Sequence, residues 1–350
     1  MPSAPFASRA DLEQRFNTGL AAMLERHDGL GVYVLVLANA VQDPGLWRAL
    51  RDALARRHDR HRAALVQALR QGRRLTEPED DLTVFLKLLA IGFEHLGPVE
   101  HRRLHADGES AVPAWEIQFN PIRALRPARM SHARVEGLMS PFDARGFHFN
   151  KPFLAREVLW ESGEEDTLCG KPARLLYNKF PFAPLHGLLV PEPAAQRPQF
   201  LTPELHGWAW EVAREAGAAI PGFGLAYNSY GAFASVNHLH FQTFVRDTPL
   251  PARIASGEGY PLAVHRHEDA ESAWFHLDEL HQRETVYNLV YDHDGLLLIP
   301  RARQGETSPE PWSSGFAWSE VAGAFPVASR EDYDNLTHAS LQAAVARLAI

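Results

Sequence analysis

Cysteine is nearly absent from these 350 residues: Cys169 stands alone, which excludes an intramolecular disulfide and a cysteine-built zinc cage. Lysine is almost as scarce. Lys87, Lys151, Lys171 and Lys179 are the only lysines among 35 basic residues, and the rest are arginine. A basic excess is also missing. The formal charge of −8 argues against a general nucleic-acid coat, whose affinity comes from a basic surface, but leaves room for a local basic pocket. No apolar run approaches the roughly 20 residues that span a bilayer; the longest, GVYVLVLANAV and TVFLKLLAIGF, are core-sized. The opening MPSAPFASRADLEQRF lacks a basic start followed by an apolar core, so no signal peptide is expected. The expected setting is cytoplasmic, without nucleic-acid or membrane partners.

The chain divides into three stretches. Residues 1–105 are mainly helical in pattern: Asp43 caps and Pro44 opens a helix with Leu46, Leu50, Leu54, Leu65 and Leu69 at helical spacing. DDLTVFLKLLAIGFEHLG predicts a second helix ended by Gly97-Pro98. From about residue 112 the period shortens to that of strands, and 106–250 and 251–350 each alternate strands with a helix. Thr202 and Pro203 start one helix that Gly217 is expected to stop, and Ser329 with Asp332 starts a last helix carrying Leu336, Leu341, Val345 and Leu348. Asp294-Gly295 signals a tight hairpin turn. LLYNKFPFAPLHGLLVPE and TVYNLVYDHDGLLLIPR each run from a YN strand through a turn into GLL and a closing proline, which suggests an internal duplication.

The chemistry concentrates in YNSYGAFASVNHLHFQTFV, residues 227–245. Read as a strand, it puts His238, His240 and Gln242 on one face. Gly231, Ala232, Ala234 and Ser235 are small enough for backbone N–H groups to approach a phosphate, and Asn228 and Ser235 add polar side chains. Three readings compete: two structural histidines, a His-x-His metal pair, and an imidazole nucleophile acting at phosphorus. The metal reading lacks a third ligand nearby.

SVNHLHFQ resembles the His-x-His-x-Gln motif of the transferase branch of the histidine-triad superfamily. YNKFPFAPLHGLLVPE is similar to that superfamily's upstream hairpin, and FASVNHLHFQ is very like the signature of the GDP-hexose phosphorylases. FNPIRALRP and FHFNK upstream, and SGFAWSEVAGAFPVASREDY downstream, follow the order of the same group, so the resemblance covers about residues 112–345. It implies an α+β fold: two histidine-triad-like halves forming a mainly antiparallel sheet flanked by helices, behind an N-terminal helical region. It also implies His240 as the nucleophile at the α-phosphorus of a nucleotide sugar, His238 as its support through ring or carbonyl, and Gln242 as a donor to phosphate oxygens. Ser235 and the Gly231 turn would contact phosphates, and Asn178 would organise the site. The implied substrates are a GDP-hexose and inorganic phosphate, with no cofactor and no metal. Here the sequence has His186-Gly187 where the family order is Gly-His, and Ala234 where the phosphate turn has glycine. Neither base nor hexose is legible.

Alternatives stay open at this point: a hexose-1-phosphate uridylyltransferase, a dinucleoside tetraphosphate phosphorylase, a nucleotide-binding sensor, or a metal enzyme using His238 and His240. Arg123, Arg126 and Arg129 form either a cationic face near phosphate or a surface cluster. Lys151 and Lys179 are further phosphate candidates, Phe149 a stacking candidate for a base, and Arg246 follows the motif directly. His265 and His267 fall in a polar segment expected to be loop. The first hundred residues are left with three roles: capping the sheet, forming a homodimer contact, or binding another partner.

Overall fold

The computed structural model describes residues 5–350 except 74–76, 107–112, 126–134, 136, 164–165, 256–258, 309 and 314; Arg126 and Arg129 lie outside the described residues. Four helices come first: α1 (Arg9–Arg26), α2 (Leu30–Ala40), α3 (Pro44–Arg70) and α4 (Glu79–Ile91). Asp43 caps α3 as expected, its carboxylate accepting the Leu46 N–H at 2.6 Å. Every residue of α2 is buried, so this helix is apolar all round and the others pack about it. α4 ends at Gly92, before Gly97-Pro98: the backbone there takes φ +85°, which glycine adopts without strain and which breaks the helix.

The strands follow. β1 (Glu100–Leu104) and β2 (Trp115–Phe119) precede β3 (Val158–Glu161), β4 (Ala173–Tyr177) and β5 (Gly187–Pro191). Helix α5 (Pro203–Ala219) leads to β6 (Phe223–Asn228) and β7 (Phe241–Val245), then the short α6 (Pro251–Ile254), β8 (His265–His267) and α7 (Ala270–Gln282). The hairpin β9 (Tyr287–Asp292) and β10 (Gly295–Pro300) is followed by α8 (Trp318–Val321), β11 (Ala324–Val327), α9 (Arg330–Asn335) and α10 (His338–Ala346). Eight strands form one sheet in the order β3-β4-β5-β7-β6-β9-β10-β8, antiparallel at every pairing. A second sheet, β1-β2-β11, takes one strand from each of the three sequence stretches and ties them together.

Three local expectations are corrected. α5 continues through Gly217 to Ala219. That glycine serves packing, since a Cβ there would stand 2.8 Å from the Cβ of His293. The last helix is two: Ser329 caps α9 as expected, but the chain leaves helical geometry at Leu336 and Thr337 caps α10 anew. His265 to His267 form β8, held by pairing with β10, and not a loop.

One face of the large sheet positions the site. Val158, Leu176, Leu188 and Gln242 are successive cross-strand partners from β3 to β7, and directly opposite residues share a face. The other face packs on α5 and α7 through a core that includes Leu175, Leu189, Trp208, Phe241 and Leu277.

Candidate active site

A cavity of about 350 Å³ opens over that face. Arg123, Asn178 and Lys179 reach it from the chain on one side, and Asn228, Ser235, His240 and Gln242 from the other. The helical first hundred residues supply a wall of their own, through Pro78, Asp80, Asp81 and Val84 at the start of α4. Lys179 is ion-paired with Asp81, and Asn39 on α2 donates to the Asn178 carbonyl at 2.9 Å. The helical region therefore caps the site end of the sheet.

His238, Gly231 and Lys151 are not on the cavity wall, and each has a physical reason. The regular strand begins only at Phe241, so alternation does not extend back to His238. Its ring is turned behind His240, where Nδ1 accepts the Phe149 N–H at 3.1 Å and the Phe149 ring stacks on it at 5.5 Å. Phe149, a stacking candidate for a base, packs on His238 and also lines the cavity. Gly231 stands at φ +93° with a Cβ position 3.0 Å from Val286, and its carbonyl accepts the Gln304 N–H at 2.7 Å; it shapes the turn and does not face the cavity. Lys151 donates to the carbonyls of Ala144 and Arg145 at 3.1 and 3.4 Å on an exposed loop. Arg246 is ion-paired with Glu116, and Cys169 carries a thiol that burial, then Glu215, pushes up to about 12.

His240 is 5% exposed and its ring is locked. Nδ1 lies 2.8 Å from the His238 carbonyl and 3.0 Å from Oε1 of Gln199. That Oε1 also accepts the His240 backbone N–H at 2.9 Å, which fixes the amide's orientation. Both partners of Nδ1 are acceptors, so the ring proton sits on Nδ1 and the lone pair on Nε2. Phe149 meets the ring edge-on at 4.9 Å.

Gln242 is oriented by a similar argument. The Trp318 indole N–H, which can only donate, lies 2.9 Å from Oε1. The same oxygen is 3.0 Å from Nε2 of His186. Its carbonyl is thus occupied on the far side, and its NH₂ is the end left for the cavity. His186 is completely buried; burial first, then the Arg123 guanidinium, holds its pKa down to about 3. The ring is neutral, with Nδ1 accepting the Phe182 N–H at 3.3 Å and Nε2–H donating to Gln242. Asn178 Nδ2 lies 3.1 Å from that nitrogen. The inverted His186-Gly187 order thus places the histidine beneath Gln242, away from the cavity. His238 is likewise neutral, its pKa lowered to about 3 by burial and then by the neighbouring His240.

Residues 114–244 match the family model described as GDPGP1-like, N-terminal domain. GDP-D-glucose phosphorylase 1 of Homo sapiens is 29% identical over 270 residues, 65% of this chain and 68% of that protein. GDP-L-galactose phosphorylase 1 of Arabidopsis thaliana is 34% identical over 262 residues, 62% of this chain and 58% of that one. Over this stretch the chain is similar to the GDP-hexose phosphorylases. Its fold is shared with the crystal structure of yeast Ap4A phosphorylase Apa2 at a TM-score of 0.52 and 18% identity, over 78% of this chain and 95% of the other.

The stretch that the family model matches ends inside β7 and takes in both histidines, Gln242, Gln199 and His186. Three further residues lie far from the motif: Trp318 falls inside the downstream segment SGFAWSEVAGAFPVASREDY that carries the resemblance, whereas Gln199 and Glu157 carried no sequence signal. Gln199 sits between prolines and aromatics, 41 residues from the ring it clamps. Trp318 is 76 residues from Gln242, and Glu157 ends a 3₁₀ segment with nothing in its neighbours to mark it. Among the described residues, no group of three or more His, Cys, Asp or Glu could hold a metal ion, and no helix is long and apolar enough to cross a membrane.

Proposed function

We propose that this protein phosphorolyses a GDP-hexose through a covalent nucleotidyl-His240. The observation that carries the reading is the fixed Nδ1–H tautomer of His240 on a cavity wall, with Gln242 beside it. Nε2 attacks the α-phosphorus, and the bond from that phosphorus to the oxygen bridging it to the β-phosphate breaks. Hexose 1-phosphate leaves with that oxygen. Inorganic phosphate then attacks the same phosphorus, the phosphorus–nitrogen bond breaks, and GDP is released.

The roles of the neighbours follow from their geometry. The Nδ1–H bond to the His238 carbonyl steadies positive charge that develops on the ring as Nε2 forms its bond. The Gln242 NH₂, held by Trp318 and His186, donates to a non-bridging oxygen of the α-phosphoryl group. A phosphate leaving group with a second pKa of about 6 needs no acid at neutral pH, which suits an amide in place of a third histidine. Arg123 and Lys179 supply positive charge toward the phosphates, and Ser235 and Asn178 polar contacts. The names of the matched proteins, two of them phosphorylases of GDP-sugars, favour phosphate as the acceptor over a sugar phosphate.

The test is intact-protein mass spectrometry after mixing with a GDP-hexose and no phosphate. A mass gain of one guanosine monophosphate, discharged by phosphate and absent in His240→Asn, is expected. No adduct and no turnover with GDP-, UDP- or ADP-sugars or dinucleoside polyphosphates would refute the reading.

A further inference from the structure

Glu157 closes the 3₁₀ segment Pro152–Glu157 that leads into β3. It is 6% exposed, it lines the cavity, and no hydrogen bond or ion pair holds its carboxyl among the described residues. The charged groups that face it are Lys179 beyond β4, Arg156 on its own segment and Asp81 on α4. Of these, Lys179 is already paired with Asp81. A buried carboxyl without a donor is costly, and its position on a cavity wall points to a donor brought by a ligand.

The sheet register identifies which part of a ligand that is. From Gln242 the floor of the site crosses Leu188 and Leu176 to Val158, next to Glu157. Three strand spacings of about 4.8 Å put Glu157 roughly 14 Å from Gln242. That is the layout for a nucleotide lying across the strands, with its phosphate at His240 and Gln242, a flat ring over two leucines, and the ring's far edge at β3. Phe147 and Phe153, with ring centroids 6.3 Å apart, line the same cavity and offer aromatic surface to that ring. The edge that meets Glu157 must present donors, because an ionised carboxylate only accepts. Guanine offers two adjacent N–H donors, at N1 and the 2-amino group. Adenine pairs a donor with an acceptor, and uracil flanks its single N–H with carbonyls.

We infer that Glu157 is the base-selecting residue of this site, its carboxylate receiving the N1–H and 2-amino N–H of guanine. The inference rests on the nucleotide-sugar reading above and deepens it. Burial pushes this carboxyl up to about 7. Guanine donors favour the ionised form, so guanine-nucleotide affinity falls as pH drops below 7, by up to tenfold per unit.

The experiment is calorimetric titration of the full chain with GDP, IDP and ADP, in the unmodified protein and in Glu157→Gln, alongside the adduct assay. IDP lacks only the 2-amino group. The unmodified protein should prefer GDP to IDP by about tenfold or more, the worth of a hydrogen bond to a charged group, and ADP should bind more weakly still. In Glu157→Gln the GDP-to-IDP ratio should fall to within about threefold of unity. An unchanged ratio in the variant overturns the inference, and so does a variant that alters discrimination between GDP-hexoses and not between bases, which would assign the carboxyl to the sugar. If Glu157→Gln does not fold, the pH profile decides: GDP affinity of the unmodified protein that stays flat from pH 8 to 6 overturns it. Adduct formation without base preference sinks this inference alone, whereas no adduct and no nucleotide binding sinks the proposed function with it.

Discussion

Two hairpins of the same sheet end almost alike, β5 in GLLVP and β10 in GLLLIP, yet only the first belongs to the cavity. The far hairpin turns through His293 and Asp294 and re-enters the sheet at Gly295, which takes φ +128°. The near hairpin is joined by residues 178–186, and that longer connection brings Asn178, Lys179, Phe180 and Phe182 to the cavity and His186 to Gln242. A two-residue turn has no chain to spare for this. The Tyr-Asn pairs differ accordingly. Tyr177-Asn178 sits at the loop end of the first hairpin, and Tyr287-Asn288 at the opposite end of the second. There Asn288 donates to Asn228 at 2.7 Å, joining the two halves across the middle of the sheet. Similar strands thus make two similar floors, and the connection decides which one can mount chemistry.

The largest effect that would separate the two hairpins is at the motif next to the first. His240→Asn should lower kcat on the order of 10⁴-fold or more, because the nucleophile is lost while the Asn39, Asn178 and Gln199 contacts that shape the cavity remain. Steady-state kinetics with a GDP-sugar panel and a thermal melt check both halves of the statement. Activity retained within tenfold would place the nucleophile elsewhere. Gln242→Leu should cost on the order of 10² to 10³-fold in kcat, the usual loss of one donor aimed at a transition state, with adduct still formed slowly. The far hairpin should respond in stability only. Leu298, fully buried on β10, should cost about 3 kcal/mol of unfolding free energy when cut to alanine, with kcat unchanged below the new melting point. A loss of kcat in Leu298→Ala would mean that the two hairpins are coupled and the comparison is wrong.

The sequence made some of this legible and not the rest, for identifiable reasons. Helix starts were readable where a cap and the backbone N–H that it accepts lie within three residues, as at Asp43, Thr202 and Ser329. Helix ends were misread at Gly217, because the closeness of His293 that requires glycine there comes from a hairpin far along the chain. His240 and Gln242 were legible as a pair on one face. His238 was not, since its backbone precedes the strand and Asn237 is tied to the carbonyls of Ser140 and Pro141 at 3.0 and 2.9 Å. Gln199, Glu157 and the wall from α4 come from parts of the chain that meet only in the fold, and no local pattern marks them; Trp318 lies in a segment that the resemblance covers, but its bond to Gln242 is made only in the fold.

His186 gives the smallest and most selective test of the comparison, because it belongs to the near hairpin's connection and the far hairpin has no counterpart. Its folded pKa, down to about 3, is below the unfolded value of about 6.5. The unfolded chain therefore takes up the proton first as pH falls, and stability is lost progressively from about pH 6.5 downward. His186→Gln keeps an amide N–H for Gln242 but cannot titrate. Urea unfolding of both proteins from pH 7.5 to 4.5 should show the unmodified protein losing ground to the variant below pH 6.5, by up to about 1.4 kcal/mol per pH unit. A constant gap would mean that His186 protonates as readily folded as unfolded. The Nε2–H bond to Gln242 would then not require a neutral ring, and the amide's orientation would rest on Trp318 alone.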